Sequence, residues 1–257
     1  LICMRRRLRS SCPVLRVKLT QFWMLQIKMA EKIFARVRSG LFHRNEWNIG
    51  VVYEPISVFL EPGAKPNVHW LRRLERDRYL ADPFAVIRDG RTHVFCEEFD
   101  YNAFKGRIVT IEVAGPGCSS RPKVAIELPI HISHPYLLEH DGETYCIPET
   151  CRAREIVLYK AKDFPHKWMK TATLIAKVAA LDATVFRYEG RWWLTHTDEE
   201  KGPMDKLFIW YAPSLFGPWV PHKTNPVKTD IRSSRPAGTP FIQNGHLYRP
   251  AQDCSKT

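Results

Sequence analysis

The chain has 257 residues, 44% of them hydrophobic and 26% charged, the balance of a globular protein long enough to bury a large core. Its net charge of +12 does not mark a nucleic-acid binder: residues 1–45 hold eleven Lys/Arg against one acid, Glu31, while the remainder carries 28 bases and 26 acids. No run of about 18 apolar residues occurs, which excludes a conventional transmembrane helix.

The chain opens on a basic stretch with Arg5-Arg6-Arg7. Residues 14–38 then read as a helix, because Leu15, Leu19, Phe22, Trp23, Ile27 and Ala30 recur at mostly three- and four-residue steps, with Lys and Arg on much of the other face. Ser39-Gly40 is its expected stop. A basic amphipathic helix of this kind suits peripheral contact with an anionic membrane, or packing against another domain. Two domains are therefore expected: a basic segment over 1–45 and a β domain over 46–257. Residues 46–60 read as one or two strands, 61–66 as a Pro/Gly loop, 68–71 as a short strand and 72–79 as a charged loop.

A hairpin follows, Asp82-Pro83-Phe84 to Glu97-Glu98 around Asp89-Gly90, and the chain repeats it three times. The turn glycines are Gly90, Gly142, Gly190 and Gly245, separated by 52, 48 and 55 residues. Third strands are expected at 107–113, 155–161 and 206–212, with weaker fourth strands near 124–126 and 173–176. Two copies even share a tryptophan, Trp168 and Trp219, each seven residues after an alanine, Ala161 and Ala212. Four strands at a period near 50 residues is the pattern of a β-propeller blade. The expected fold is all-β, a β-propeller truncated at its C-terminus after half of its fourth repeat, with about half a blade to one and a half blades absent, preceded by the basic helix; the resemblance given below implies five blades.

Inner strands of successive blades converge on one axis, so equivalent positions meet there. The position eight residues before each turn glycine is Asp82, His134, Asp182 and Ala237 in turn. Two carboxylates and an imidazole gathered from distant repeats suit acid–base chemistry on a polar substrate. Second strands add Glu97 or Glu98, Glu149, Asp198 and Asp253, and Arg235 stands ready to hold an anion or a carboxylate. His131 and His134 are three apart, on opposite faces of a strand, which argues against a zinc site; no metal and no cofactor are expected. The seven cysteines form no Cys-x-x-Cys pair. Cys146 and Cys151 are close enough in sequence to pair, but free thiols are the expectation. The odd count favours a cytoplasmic or membrane-associated setting over a disulfide-bonded secreted one, without fixing the compartment.

The motifs resemble two related groups. Asp82-Pro83-Phe84, Leu181-Asp182 and Phe216-Gly217-Pro218-Trp219 are similar to the five-bladed propeller glycosidases of the arabinanase and β-xylosidase type. That resemblance implies Asp82 as general base and Asp182 as pKa modulator. It also implies a general-acid Glu where this chain instead reads Ser234-Arg235-Pro236-Ala237-Gly238, which leaves Glu149 as the substitute acid. A closer resemblance is to the N-terminal domain of glucosamine inositolphosphorylceramide transferase and its bacterial relatives. It is carried by Ser133-His134-Pro135-Tyr136, Ile147-Pro148-Glu149-Thr150, Leu181-Asp182-Ala183-Thr184, the 234–238 stretch and Tyr248-Arg249-Pro250-Ala251-Gln252-Asp253. It implies a carbohydrate-handling module in glycan or glycolipid assembly, with glycosyl transfer carried by another domain. The catalytic candidates are then Asp82, Asp182 and Glu149. The binding candidates are His134, Arg235, Glu97, Arg249 and Asp253, and the partner is a carbohydrate or glycolipid.

Overall fold

The computed structural model describes residues 47–75 and 77–255. The basic segment and its expected helix lie outside them. Among the described residues there is no α-helix, only strands and two short 3-10 turns at Ile56–Leu60 and Cys151–Ala153.

Each repeat is one antiparallel meander. The first pairs Arg78–Arg88, Arg91–Asp100 and Lys105–Gly115 in order, and Cys118–Ser119 and Lys123–Ile126 both join the third of these. The second comprises Ser133–His140, Glu143–Glu149, Glu155–Asp163 and Lys167–Ala176. The third runs Ala180–Tyr188, Arg191–Asp198 and Lys206–Ala212, edged by Val220–Pro221 and Lys228–Thr229. The fourth is a short hairpin, Phe241–Gln243 with His246–Tyr248.

The hairpin turns are what the Asx-Gly pattern demands. Asp89 and Gly90 have φ of 51° and 72°, and Asn244 and Gly245 have 51° and 76°. A two-residue turn with both central residues at positive φ matches the twist of the strands it joins, and glycine enters that region without a Cβ clash. The expected weak fourth strands are present, the second longer than the sequence indicated. The shared tryptophans do the same job in both copies. Trp168 donates its indole N–H to the Pro165 carbonyl at 2.8 Å, and Trp219 donates to Leu215 at 3.2 Å.

Residues 55–60 depart from the strand expectation. Pro55 sits at φ −57°, and Val58 donates to its carbonyl, closing a 3-10 turn over Ile56–Leu60. Only Gly50–Val51 and His69–Trp70 pair as strands in this region. With no neighbour to pair against, an apolar run gains nothing from extension, and local bonds decide its shape.

The core lies between the sheets. Alternation along the second strand sends Phe95 one way, to Ile108, Ile132, Cys146 and Val157, and Val94 and Cys96 the other way, to Leu80, Val109 and Ile111. A larger cluster joins the second and third sheets through Tyr136, Ile147, Leu158, Val185 and Leu194. The Tyr136 hydroxyl donates to the Val185 carbonyl at 2.6 Å and pins these sheets together. First strands of successive sheets pack on each other, so their bulges face a common region. Cys146 and Cys151 are both free thiols.

Gly106 fixes the join between the first two sheets. A Cβ there would lie 2.3 Å from Glu97 Oε1 and 2.7 Å from the Ile132 carbonyl oxygen. Its N–H donates to His131 Nδ1 at 2.9 Å. Gly106→Ala is expected to destabilise the domain by roughly 1–3 kcal/mol, the cost of overpacking against backbone. Urea unfolding checks this, and an unchanged midpoint would mean that the join yields freely.

Candidate functional site

The site is built by one device used three times. Pairing of the first and second strands slips between Ala81 and Phe84, between Ser133 and Tyr136, and between Leu181 and Thr184. At each slip the residue eight before the turn glycine takes a left-handed conformation: Asp82 at φ 52°, His134 at 42° and Asp182 at 53°. Non-glycine residues enter that region at a cost, and a bulge re-aims the side chain it carries. Pro83 and Pro135 follow the first two, where a missing N–H breaks no ladder bond.

The three bulges are stitched together by acids. Asp82 Oδ2 accepts the N–H of His134 at 3.3 Å. Glu149 Oε2, at the end of the second sheet, accepts the N–H of Asp182 at 3.1 Å. Asp182 Oδ2 accepts from Arg235 Nε and, at 2.8 Å, from Gln252 Nε2, which also reaches the Pro236 carbonyl at 2.8 Å. Asp182 Oδ1 lies 3.5 Å from His134 Nδ1. The fourth repeat thus contributes Arg235 and Gln252 where its own equivalent position is Ala237.

Asp82, Glu97, His134, Ala237, Gln252 and Asp253 line one cavity of about 590 Å³. Trp47, Tyr79 and Phe84 supply its aromatic wall. His134 packs edge-on against Phe84 with ring centroids 4.8 Å apart. His134 and Asp182 are each only 2% exposed, and Glu97 is 4% exposed. Burial, with Asp82, Glu149 and Asp182 nearby, pushes the Glu97 carboxyl up to about 9. Burial and the Asp182 charge push Glu149 up to about 8, although the Asp182 N–H and Arg235 pull the other way. Asp82 is raised as well, by burial, against the opposing pull of His134.

The remaining expected residues divide. Glu97 faces the cavity, whereas its neighbour Glu98 points the other way and takes both Arg107 (2.7 Å) and Arg78 (3.5 Å). Asp182, Glu149 and Arg235 stand behind the cavity wall, with Asp182 3.5 Å from the lining His134 and bonded to the lining Gln252. Arg249 lies outside the cavity wall, where its guanidinium donates to the Ser233 and Ser234 carbonyls and holds the 233–234 turn. Asp198 caps its own turn, accepting from Glu200 N–H at 3.0 Å and Lys201 Nζ at 3.1 Å. His131 takes the Gly106 N–H on Nδ1 and sets Nε2 3.7 Å from Glu97 Oε1. Reading the sequence missed Gln252, although it lies inside the Tyr248–Asp253 motif, and Tyr79, which sits three residues before Asp82 in a stretch read as a loop.

Two kinds of similarity bear on this arrangement. Among solved structures, an exo-β-1,3-galactanase from Clostridium thermocellum superposes with a TM-score of 0.56 at 13% identity, covering 81% of this chain and 52% of that one. An exo-β-1,3-galactanase from Phanerochaete chrysosporium, solved with β-1,3-galactotriose, gives 0.53 at 11% identity, over 71% and 45%. At such identities the likeness shows the fold alone, an all-β propeller of the glycosidase type. In sequence, glucosamine inositolphosphorylceramide transferase 1 of Oryza sativa subsp. japonica is 34% identical over 185 residues, 70% of this chain and 25% of that protein. The Arabidopsis thaliana protein of the same name is 33% identical over 239 residues, 83% and 31% respectively. The chain thus spans between a quarter and a third of the length of these relatives. The family model described as glucosamine inositolphosphorylceramide transferase 1, N-terminal, matches residues 74–257, and the chain belongs to that family.

Proposed function

We propose that residues 46–257 belong to a carbohydrate-handling domain of the five-bladed propeller type, a module of a larger glycosyltransferase-type protein acting in glycan or glycolipid assembly. The observation that carries this reading is the cavity at the meeting of the repeats, acid-lined and walled by Trp47, Tyr79 and Phe84. Aromatic faces and carboxylates together suit a polyhydroxylated ligand, which presents apolar C–H faces and hydroxyl donors. The name of the relatives, glucosamine inositolphosphorylceramide transferase 1, supports reading such a ligand as part of glycolipid assembly. In this reading the basic segment 1–45 supplies peripheral membrane contact through its charge.

Glycoside hydrolysis is the second reading, and Glu149 favours it, because its raised pKa keeps it protonated at neutral pH as a general acid must be. Binding is the stronger reading. Glu149 is buried and spends Oε2 on the Asp182 N–H, and Asp182 is itself engaged by Arg235 and Gln252. The 234–238 stretch offers no carboxylate to replace it.

Titration calorimetry on the untagged chain, with glucosamine, myo-inositol phosphate and β-1,3-galactotriose as probes, tests the proposal. At least one probe is expected to bind, with affinity falling tenfold or more in Asp82→Asn. Absence of binding to all three would overturn the binding reading. Turnover of aryl glycosides that disappears in Asp82→Asn would establish the hydrolase instead.

A further inference from the structure

We propose that Asp82, His134 and Asp182 form a site for one divalent cation of the Zn²⁺ or Mn²⁺ kind. The inference does not depend on the carbohydrate reading.

One potential ligand atom from each of the three residues lies within 4.8 Å of the other two. The His134 Nδ1 to Asp182 Oδ1 separation is 3.5 Å. That is long for a hydrogen bond and right for two ligands on one ion. With metal–ligand bonds of about 2.0–2.2 Å, neighbouring ligand atoms stand roughly 3–3.5 Å apart and opposite ones a little over 4 Å.

The bonding of each side chain leaves atoms for such an ion. Asp82 spends Oδ2 on the His134 N–H, and Asp182 spends Oδ2 on Arg235 and Gln252. The Oδ1 of Asp182 is the oxygen that faces the imidazole. A carboxylate held by hydrogen bonds through one oxygen and offering the other is the usual support for a ligand. His134 is 2% exposed, and its Nδ1, the nitrogen on the Asp182 side, has among the described residues the Asp182 oxygen at 3.5 Å as its neighbour, while its Nε2, buried without a hydrogen-bond partner, makes the ring short of partners on both sides. A buried imidazole left in that state costs free energy unless something absent from the protein completes it.

Charge points the same way. Asp82 and Asp182 set two carboxylates against one guanidinium, that of Arg235 on the far oxygen of Asp182. The three ligands come from three separate sheets, so the fold itself sets their spacing. One imidazole and two carboxylates form a mixed nitrogen–oxygen set, which suits Zn²⁺ or Mn²⁺ better than Mg²⁺ or Ca²⁺, whose sites are built from oxygen. Asp82 and His134 also line the cavity, so coordination positions left open by the protein face it, where water or hydroxyl groups complete the shell. The spacing argument against zinc concerned His131 with His134 on one strand. It does not touch a set gathered from three repeats.

The test uses the untagged chain stripped with EDTA and then titrated separately with ZnCl₂, MnCl₂, CaCl₂ and MgCl₂. Calorimetry and elemental analysis after desalting read affinity and stoichiometry. Zn²⁺ or Mn²⁺ is expected to bind at about one equivalent per chain and to raise the unfolding temperature. Asp82→Asn and His134→Gln are each expected to weaken that binding at least a hundredfold, while Glu112→Gln on the surface leaves it unchanged. Circular dichroism confirms that each variant is folded, and a folded Asp82→Asn decides the matter if His134→Gln is not. Uptake of neither Zn²⁺ nor Mn²⁺, or uptake that persists at full affinity in folded Asp82→Asn, overturns the proposal.

Discussion

Asp182→Ala is expected to destabilise the β domain by about 3–5 kcal/mol, the cost of breaking a buried ion pair from one side. For a domain of this size that lowers the melting temperature by roughly 10 °C. The reason is what the substitution strands. Asp182 is 2% exposed and accepts from both Arg235 and Gln252, and these two reach it from the fourth repeat. Its N–H also anchors Glu149 of the second sheet. One residue therefore joins three repeats, and the substitution removes the carboxylate's two bonds to the fourth while leaving the N–H bond to Glu149 in place. Without the carboxylate, a largely buried guanidinium has no counter-charge, and Gln252 keeps only the Pro236 carbonyl. Adding Arg235→Met should recover part of the loss, because the orphaned charge is removed with its partner. Urea unfolding of the single and double variants in EDTA measures both effects. A single variant within 1 kcal/mol of the parent would show that the pair adds nothing to the fold.

The division between what the sequence revealed and what it hid follows the range of the interactions. The hairpins were legible because their cause is local. Asp89-Gly90 and Asn244-Gly245 enter positive φ on their own chemistry, and alternation fixes the strands on either side. The convergence of Asp82, His134 and Asp182 was legible from equal spacing to the turn glycines, since a repeated local unit places equivalent residues alike. The bulges that aim them were not, because a slip in pairing is a property of two strands, not one. Residues 56–60 looked like a strand and became a 3-10 turn for the same reason, as no partner runs beside them. The choice between Glu97 and Glu98 needed the register, which sends one to the cavity and the other to Arg107. Arg249 carried charge in a motif, but that charge serves the Ser233 and Ser234 carbonyls. A motif marks that a residue matters without saying whether to a ligand or to a turn.

Glu97→Gln should act in the opposite direction to Asp182→Ala and stabilise the domain by about 3 kcal/mol at pH 7 in EDTA. The Glu97 carboxyl is pushed up to about 9 in the fold, chiefly by burial, against an ordinary value of 4.5. Between those values the folded chain holds a proton that the unfolded chain has released. Stability therefore falls as pH rises through this window, and levels off above it. At pH 7 the gap is about 2.5 pH units at roughly 1.4 kcal/mol each, which sets the size of the effect. Glutamine keeps the shape and never ionises, so the variant should lose most of this slope. A smaller slope remains from Glu149, which is pushed up to about 8. Urea unfolding at pH 5, 7 and 9 measures the slopes, and parallel lines for the two proteins would refute the assignment. The fold also leaves Glu97 Oε1 buried without a hydrogen-bond partner, a second cost at the same residue. His131 Nε2 faces that oxygen at 3.7 Å. A ligand that accepts the Glu97 proton would gain a hydrogen bond there, and a cation at Asp82 would lower the Glu97 pKa. The two are separable, because Zn²⁺ or Mn²⁺ should flatten the parent's pH dependence toward that of Glu97→Gln with no sugar present.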